Sequence, residues 1–121
     1  MLNDTVPRWD GADMRPGQPG MHVSVLRSGP ELTVRVRGEV DRDTAGRLRA
    51  GLAHAVGLTG VATVTVDLAA VPLVDAAGVS ALLDAMTQAA ATGVEFGLTG
   101  AQPYVARILA VSGLAGALGR S

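Results

Sequence analysis

Asp75-Ala76-Ala77-Gly78 joins a β-branched run, Val61 to Leu68, to an apolar stretch whose Val79, Leu82, Leu83, Met86 and Ala90 recur at helical spacing. A helix that starts there leaves backbone N–H groups without partners and places the positive end of its dipole at Ala76. Such a junction suits a negative charge, supplied either by a ligand or by the Asp75 carboxylate acting as a cap. Ser80 lies one helical turn after Ala76 and carries a hydroxyl near the same helix end. It reads either as an acceptor for a phosphate group or as a solvated, back-bonded helix residue. Glu39 and Asp41 are two further acids, expected at the same end of the sheet as Ala76. They read either as partner contacts or as solvated turn residues. His22 begins a strand and His54 falls off the apolar stripe of its helix, so no Ser-His-Asp or metal-ligand spacing emerges. Gly113, Gly116 and Gly119 follow a helix and make no phosphate-binding fingerprint.

The elements that must position these residues are legible from Met21 onward. His22 to Arg27 and Glu31 to Val40 alternate apolar and polar residues across Ser28-Gly29-Pro30, which predicts a hairpin with one covered and one wetter face. Asp43 or Thr44 is a candidate N-cap for a helix with Ala45, Leu48, Leu52, Ala55 and Val56 on its apolar stripe, and Gly57 and Gly60 bracket its end. A strand over 61–68, the helix from Ala76 to about Thr92, a strand over 95–99 and a last helix starting at Pro103 complete the order β-β-α-β-α-β-α. This predicts an α/β fold, a mixed four-stranded sheet with helices packed mainly on one face and right-handed crossovers between parallel neighbours. Residues 1–20 hold Pro7, Pro16, Pro19 and three glycines with little apolar content, so they read as a flexible tail before a single domain over 21–121.

Composition narrows the function classes. A net charge of −1 argues against nucleic-acid binding, which calls for a basic stripe. The absence of cysteine excludes disulfides, thiolate metal sites and cysteine nucleophiles. No window reaches the roughly 18 apolar residues of a membrane span, and the N-terminus lacks the pattern of a signal peptide, so a cytoplasmic location is expected. With one Trp, one Tyr and one Phe in 121 residues, the core must be built from Val, Leu and Ala.

Three segments together resemble the STAS domain family of bacterial anti-sigma-factor antagonists. Gly38-Glu39-Val40-Asp41 is similar to the family's turn after the second strand, and Asp67-Leu68 through Asp75-Ala76-Ala77-Gly78 to its Asp-Leu…Asp-Ser-x-Gly segment. Val105 to Leu114 is similar to its closing helix and Ser-Gly-Leu turn. The resemblance implies a non-catalytic module without a cofactor, which binds an ATP-binding anti-sigma factor kinase and so releases a sigma factor. In the family, the Ser after the Asp accepts a phosphate that breaks this binding. Here that position is Ala76, which cannot carry one. The chain is therefore expected to bind without the usual switch, as a monomer or weak homodimer. A scaffold role in a stress-signalling complex, or a subunit role beside a lipid-transport ATPase, is the alternative.

The expected partner-binding set is Glu39, Asp41, Asp75, Ala76, Ala77, Gly78, Ser80, Ala81 and Asp84. Ala77, Ala81, Asp84, Ala85 and Gln88 are expected on the exposed face of the central helix, as a flat surface for a partner helix or as good helix formers at indifferent positions.

Overall fold

Val and Leu at alternate positions make a stretch half apolar and half polar, and such a stretch is satisfied by burying one face of a sheet. The computed structural model describes residues 21–118 and contains four strands, β1 (His22–Ser28), β2 (Glu31–Arg37), β3 (Thr63–Ala70) and β4 (Glu95–Thr99). They lie side by side in chain order. β1 is antiparallel to β2, whereas β2–β3 and β3–β4 are parallel. Parallel neighbours require a crossover, and α1 (Ala45–Val56) and α2 (Ala76–Ala91) provide the two needed here. After β4 come α3 (Pro103–Leu109), a π-type turn over Ala110–Leu114 and a last helix, α4 (Ala115–Leu118). This is the mixed α/β arrangement that the sequence predicts.

The strand registers explain the single core. Val23 and Val25 pair with Val36 and Val34, and Leu32 and Val34 pair with Val64 and Val66, so the apolar residues align across the sheet. Together with Leu48 and Leu52 of α1, Leu82 of α2, and Leu109 and Leu114 at the C-terminal end, they form one buried cluster. The opposite face carries Thr33, Arg35, Thr65 and Asp67 in adjacent registers, with an Arg35 Nε to Asp67 Oδ2 ion pair of 3.4 Å.

Several boundaries differ from the sequence reading, each for a local reason. β2 ends at Arg37 rather than Val40, because Gly38 turns the chain at a φ of 98°. β3 begins at Thr63 rather than Val61, and the Val61 N–H turns back to the Leu58 carbonyl at 3.4 Å. The closing helix, by contrast, breaks at the Ser-Gly-Leu turn that the resemblance implies: Gly113 has a φ of 100°, and the break returns Leu114 to the core. α2 ends at Ala91, one residue short of the expected end, and Gly93 closes it. The N–H groups of Val94 and Gly93 donate to the carbonyls of Ala89 and Ala90, at 2.8 and 3.4 Å, in a Schellman cap.

The expected flexible tail over 1–20 lies outside the described residues. Met21 is already part of the folded unit, being 1% exposed, and its carbonyl accepts a hydrogen bond from Arg47 Nη1 at 3.0 Å.

Candidate functional site

Two loops leave the C-terminal ends of β2 and β3, and a short parallel bridge between Val40 and Val74 fastens them together. The Val40 N–H donates to the Leu73 carbonyl at 2.9 Å, and the Asp75 N–H donates to the Val40 carbonyl at 3.1 Å. Both valines are buried, which gives the bridge an apolar anchor as well as its hydrogen bonds. The loop of Glu39 and Asp41 is thereby held against the one that carries Asp75 and Ala76. The shared end expected from the topology is therefore present.

Asp75 is the N-cap of α2. Its Oδ1 accepts hydrogen bonds from the N–H groups of Ala77 at 2.9 Å and Gly78 at 3.1 Å. Asp75→Ala removes both acceptors and the negative charge at the helix start, so it is expected to cost about 0.5–2 kcal/mol of stability in urea unfolding. Asp75→Asn keeps an accepting oxygen and should cost clearly less; equal losses would refute the capping role.

Asp41 does similar work before α1. Its Oδ1 accepts from the N–H groups of Asp43 at 2.9 Å and Thr44 at 3.1 Å. Thr44 is the N-cap residue by position, but its hydroxyl makes no cap bond to α1. It turns back instead, accepting from the Asp41 N–H at 2.9 Å and donating to the Glu39 carbonyl at 3.1 Å. The half-buried Asp41 thus fixes the loop, while Glu39 stands exposed beside it.

Two expectations for α2 are corrected by burial. Ala81 and Ala85, expected on the exposed face, are 0% and 2% exposed. α1 packs along α2, so α2 is covered by a helix as well as by the sheet, and small residues let the two helix axes approach closely. Gly78 is also buried, where a Cβ would lie 2.6 Å from Val40 Cγ1 and 3.0 Å from Val74 Cγ1. Gly78 and Ala81 therefore support the site from below and offer no surface to a partner. Ala77 is half-buried, whereas Ala76, Ser80, Asp84 and Gln88 are exposed.

One residue of this surface was not singled out in the sequence. Arg49 reaches across from α1, with Nε 3.0 Å from Asp84 Oδ2 and Nη2 donating to Ser80 Oγ at 3.3 Å. The contact spans 35 positions of chain, so no local spacing signals it. Beside it lies a groove of about 530 Å³ between the two helices, floored by Gly46, Ala50 and Ala53 and edged by Thr87 and Gln88. The Arg49 and Asp84 side chains are 44% and 57% exposed, so a double-mutant cycle with Arg49→Gln and Asp84→Asn should give a coupling below about 1 kcal/mol. A larger coupling would mean that the pair holds α1 and α2 together.

A family model described as "Mlab, STAS domain" matches residues 23–120. The chain belongs to the STAS domain family. Solved structures agree with this assignment. An anti-sigma factor antagonist from Mycobacterium paratuberculosis is 23% identical with a TM-score of 0.72, over 80% of this chain and 81% of that one. The unphosphorylated anti-sigma factor antagonist SpoIIAA is 22% identical with a TM-score of 0.69, over 78% and 84%. A point variant of RsbS from Moorella thermoacetica is 27% identical with a TM-score of 0.65, over 76% and 78%. Among the described residues of this STAS domain, no helix is long and apolar enough to cross a membrane. Nor do three His, Cys, Asp or Glu residues gather there as a metal site.

Proposed function

We propose that this STAS domain is a non-catalytic binding module of the cytoplasm, an anti-sigma factor antagonist. It engages a kinase-type, ATP- or ADP-binding anti-sigma factor and so releases a sigma factor. The observation that carries the reading is the exposed start of α2, where Ala76 lies beside a loop fastened to it through Val40 and Val74. The loop carboxylates support it, because Oδ1 of Asp75 and Oδ1 of Asp41 each accept two backbone N–H bonds and so fix their loops as a platform. Glu39, Ala76, Ser80 and Asp84 form the surface of that platform. A neutral methyl group at Ala76 allows close approach of a partner, and no phosphate can enter at that position. The domain itself needs no cofactor and acts as a monomer or weak homodimer before it meets its partner.

The family description favours a second reading, since it names Mlab. Under it, the same surface docks the chain as a subunit beside a lipid-transport ATPase. Affinity purification of the tagged chain from its own cells separates the two. Recovery of a soluble anti-sigma factor kinase is expected, whereas recovery of membrane ATPase components would replace the first reading with the second.

A further inference from the structure

We propose that Ser80 is a phosphoacceptor and that Arg49 holds the phosphate it receives; the inference rests on the binding reading above, because the charge would enter that same surface. Three of the other hydroxyls on or beside helices are committed to backbone groups, and Thr87, exposed on α2, has no cation placed against it by a described contact. Ser112 Oγ donates to the Ile108 carbonyl at 2.7 Å, Thr92 Oγ1 to the Gln88 carbonyl at 3.0 Å, and Thr44 Oγ1 is buried among Glu39 and Asp41. Ser80 is exposed, and its Oγ meets a cation from another helix, Arg49 Nη2 at 3.3 Å. The same guanidinium holds Asp84, four residues along α2, through Nε at 3.0 Å.

That arrangement is a ready receiver for a phosphate. The planar guanidinium presents a fork of donors that matches phosphate oxygens, and charge-assisted hydrogen bonds of this kind are roughly twice as strong as neutral ones. A phosphate on Ser80 brings a charge of about −1.5 to −2, against −1 on the Asp84 carboxylate, so it outcompetes Asp84 for Arg49. Like charges four residues apart on a helix repel, which drives the Asp84 carboxylate away. Gly46 and Ala50 keep the neighbouring groove open, so the phosphate has room beside Arg49. The result is a doubly charged group and a released carboxylate, one turn from Ala76, on the face where the partner sits. The switch absent at position 76 is thereby restored one turn further along α2.

The transfer is ordinary kinase chemistry with ATP as co-reactant. The Ser80 Oγ attacks the γ-phosphorus of ATP held by a protein kinase, and an O–P bond forms as the bond to the bridging oxygen of ADP breaks. The hydroxyl proton passes to a base of the kinase, and ADP leaves.

The test uses the tagged full-length chain recovered from its own cells and, separately, the purified chain incubated with extract of those cells and ATP. Cleavage before aspartate releases Asp75–Leu83, in which Ser80 is the single hydroxyl residue. Phosphate on this peptide, absent from Ser80→Ala, is the expected result. An unmodified Asp75–Leu83 peptide in both preparations, or phosphate confined to Thr87 or Ser112, overturns the proposal. A second measurement places phosphoserine at position 80 by codon reassignment and follows its ³¹P titration. The phosphate pKa should lie below its ordinary value of about 6 and return towards it in Arg49→Gln. No response to Arg49→Gln overturns the role of Arg49. The two readings fail separately. Capture of the anti-sigma factor kinase without phosphate on Ser80 sinks only this inference, and phosphate on Ser80 without such a kinase sinks the binding reading.

Discussion

Gly78→Ala is expected to destabilise this domain and Gly46→Ala to stabilise it, although each adds one methyl group to a helix glycine. The shared term favours both substitutions, since Ala is better than Gly in a helix by about 0.8–1.0 kcal/mol. The surroundings then decide the sign. At Gly46 nothing lies within 4 Å of a built Cβ, so a gain is expected, smaller than that interior figure because Gly46 lies in the first turn of α1. At Gly78 the methyl group would come within 2.6 Å of Val40 Cγ1 and 3.0 Å of Val74 Cγ1. Both neighbours are β-branched and buried, with little rotameric freedom to retreat, and they form the bridge that joins the two loops. Overpacking of this kind costs about 1–3 kcal/mol, which exceeds the propensity gain at most of its range. The net loss should be up to about 2 kcal/mol, or a fall in Tm of up to several degrees for a domain of this size. Urea unfolding of the two variants beside the parent checks the sign through the midpoint, provided the slope is unchanged. A stabilised Gly78→Ala would mean that the bridge yields easily and that the loops are not held as described.

The same two glycines show what the sequence makes legible. That Gly78 follows a strand–loop–helix junction is a local fact, and alternation at period two or recurrence at helical spacing places every strand and helix of the sheet layer. Asp75 as a cap was readable for the same reason, because the groups it satisfies lie two and three residues away. What depends on contacts across the chain was not readable. The burial of Ala81 and Ala85 requires knowing that α1 lies along α2, since alanine is at home on either a packed or a solvated helix face. Arg49 is one of many surface arginines until the fold sets it against Ser80 and Asp84. The break at Gly113 is different, because the resemblance of Ser112-Gly113-Leu114 to a turn already implies it, and Leu114 returns to the core there. The missed features lie on the helix layer, where the site meets its surroundings, rather than in the sheet that positions it.

Ala76→Glu is expected to weaken partner binding about tenfold to a hundredfold while leaving the fold intact or slightly firmer. Ala76 is the first residue of α2 and is exposed, so a longer side chain meets no packed neighbour there. A carboxylate in the first turn of a helix interacts favourably with the dipole, by about 0.3–1 kcal/mol at an exposed position. Folding and binding should therefore move in opposite directions, which removes misfolding as an explanation of lost binding. Against a partner, the carboxylate must be taken out of water without a compensating charge, and leaving such a group unsatisfied costs about 1–3 kcal/mol or more. That corresponds to a loss of about tenfold to a hundredfold in affinity. Ala76→Ser adds only a neutral hydroxyl and should keep most of the binding, so the pair separates charge from size. The measurement is titration of each purified variant against the captured partner, with thermal unfolding run on the same samples. Retained affinity in Ala76→Glu would place the contact surface away from the start of α2. A loss shared equally by Ala76→Ser would mean that shape rather than charge closes the site, and the exposed methyl group of Ala76 would then be the feature that the partner reads.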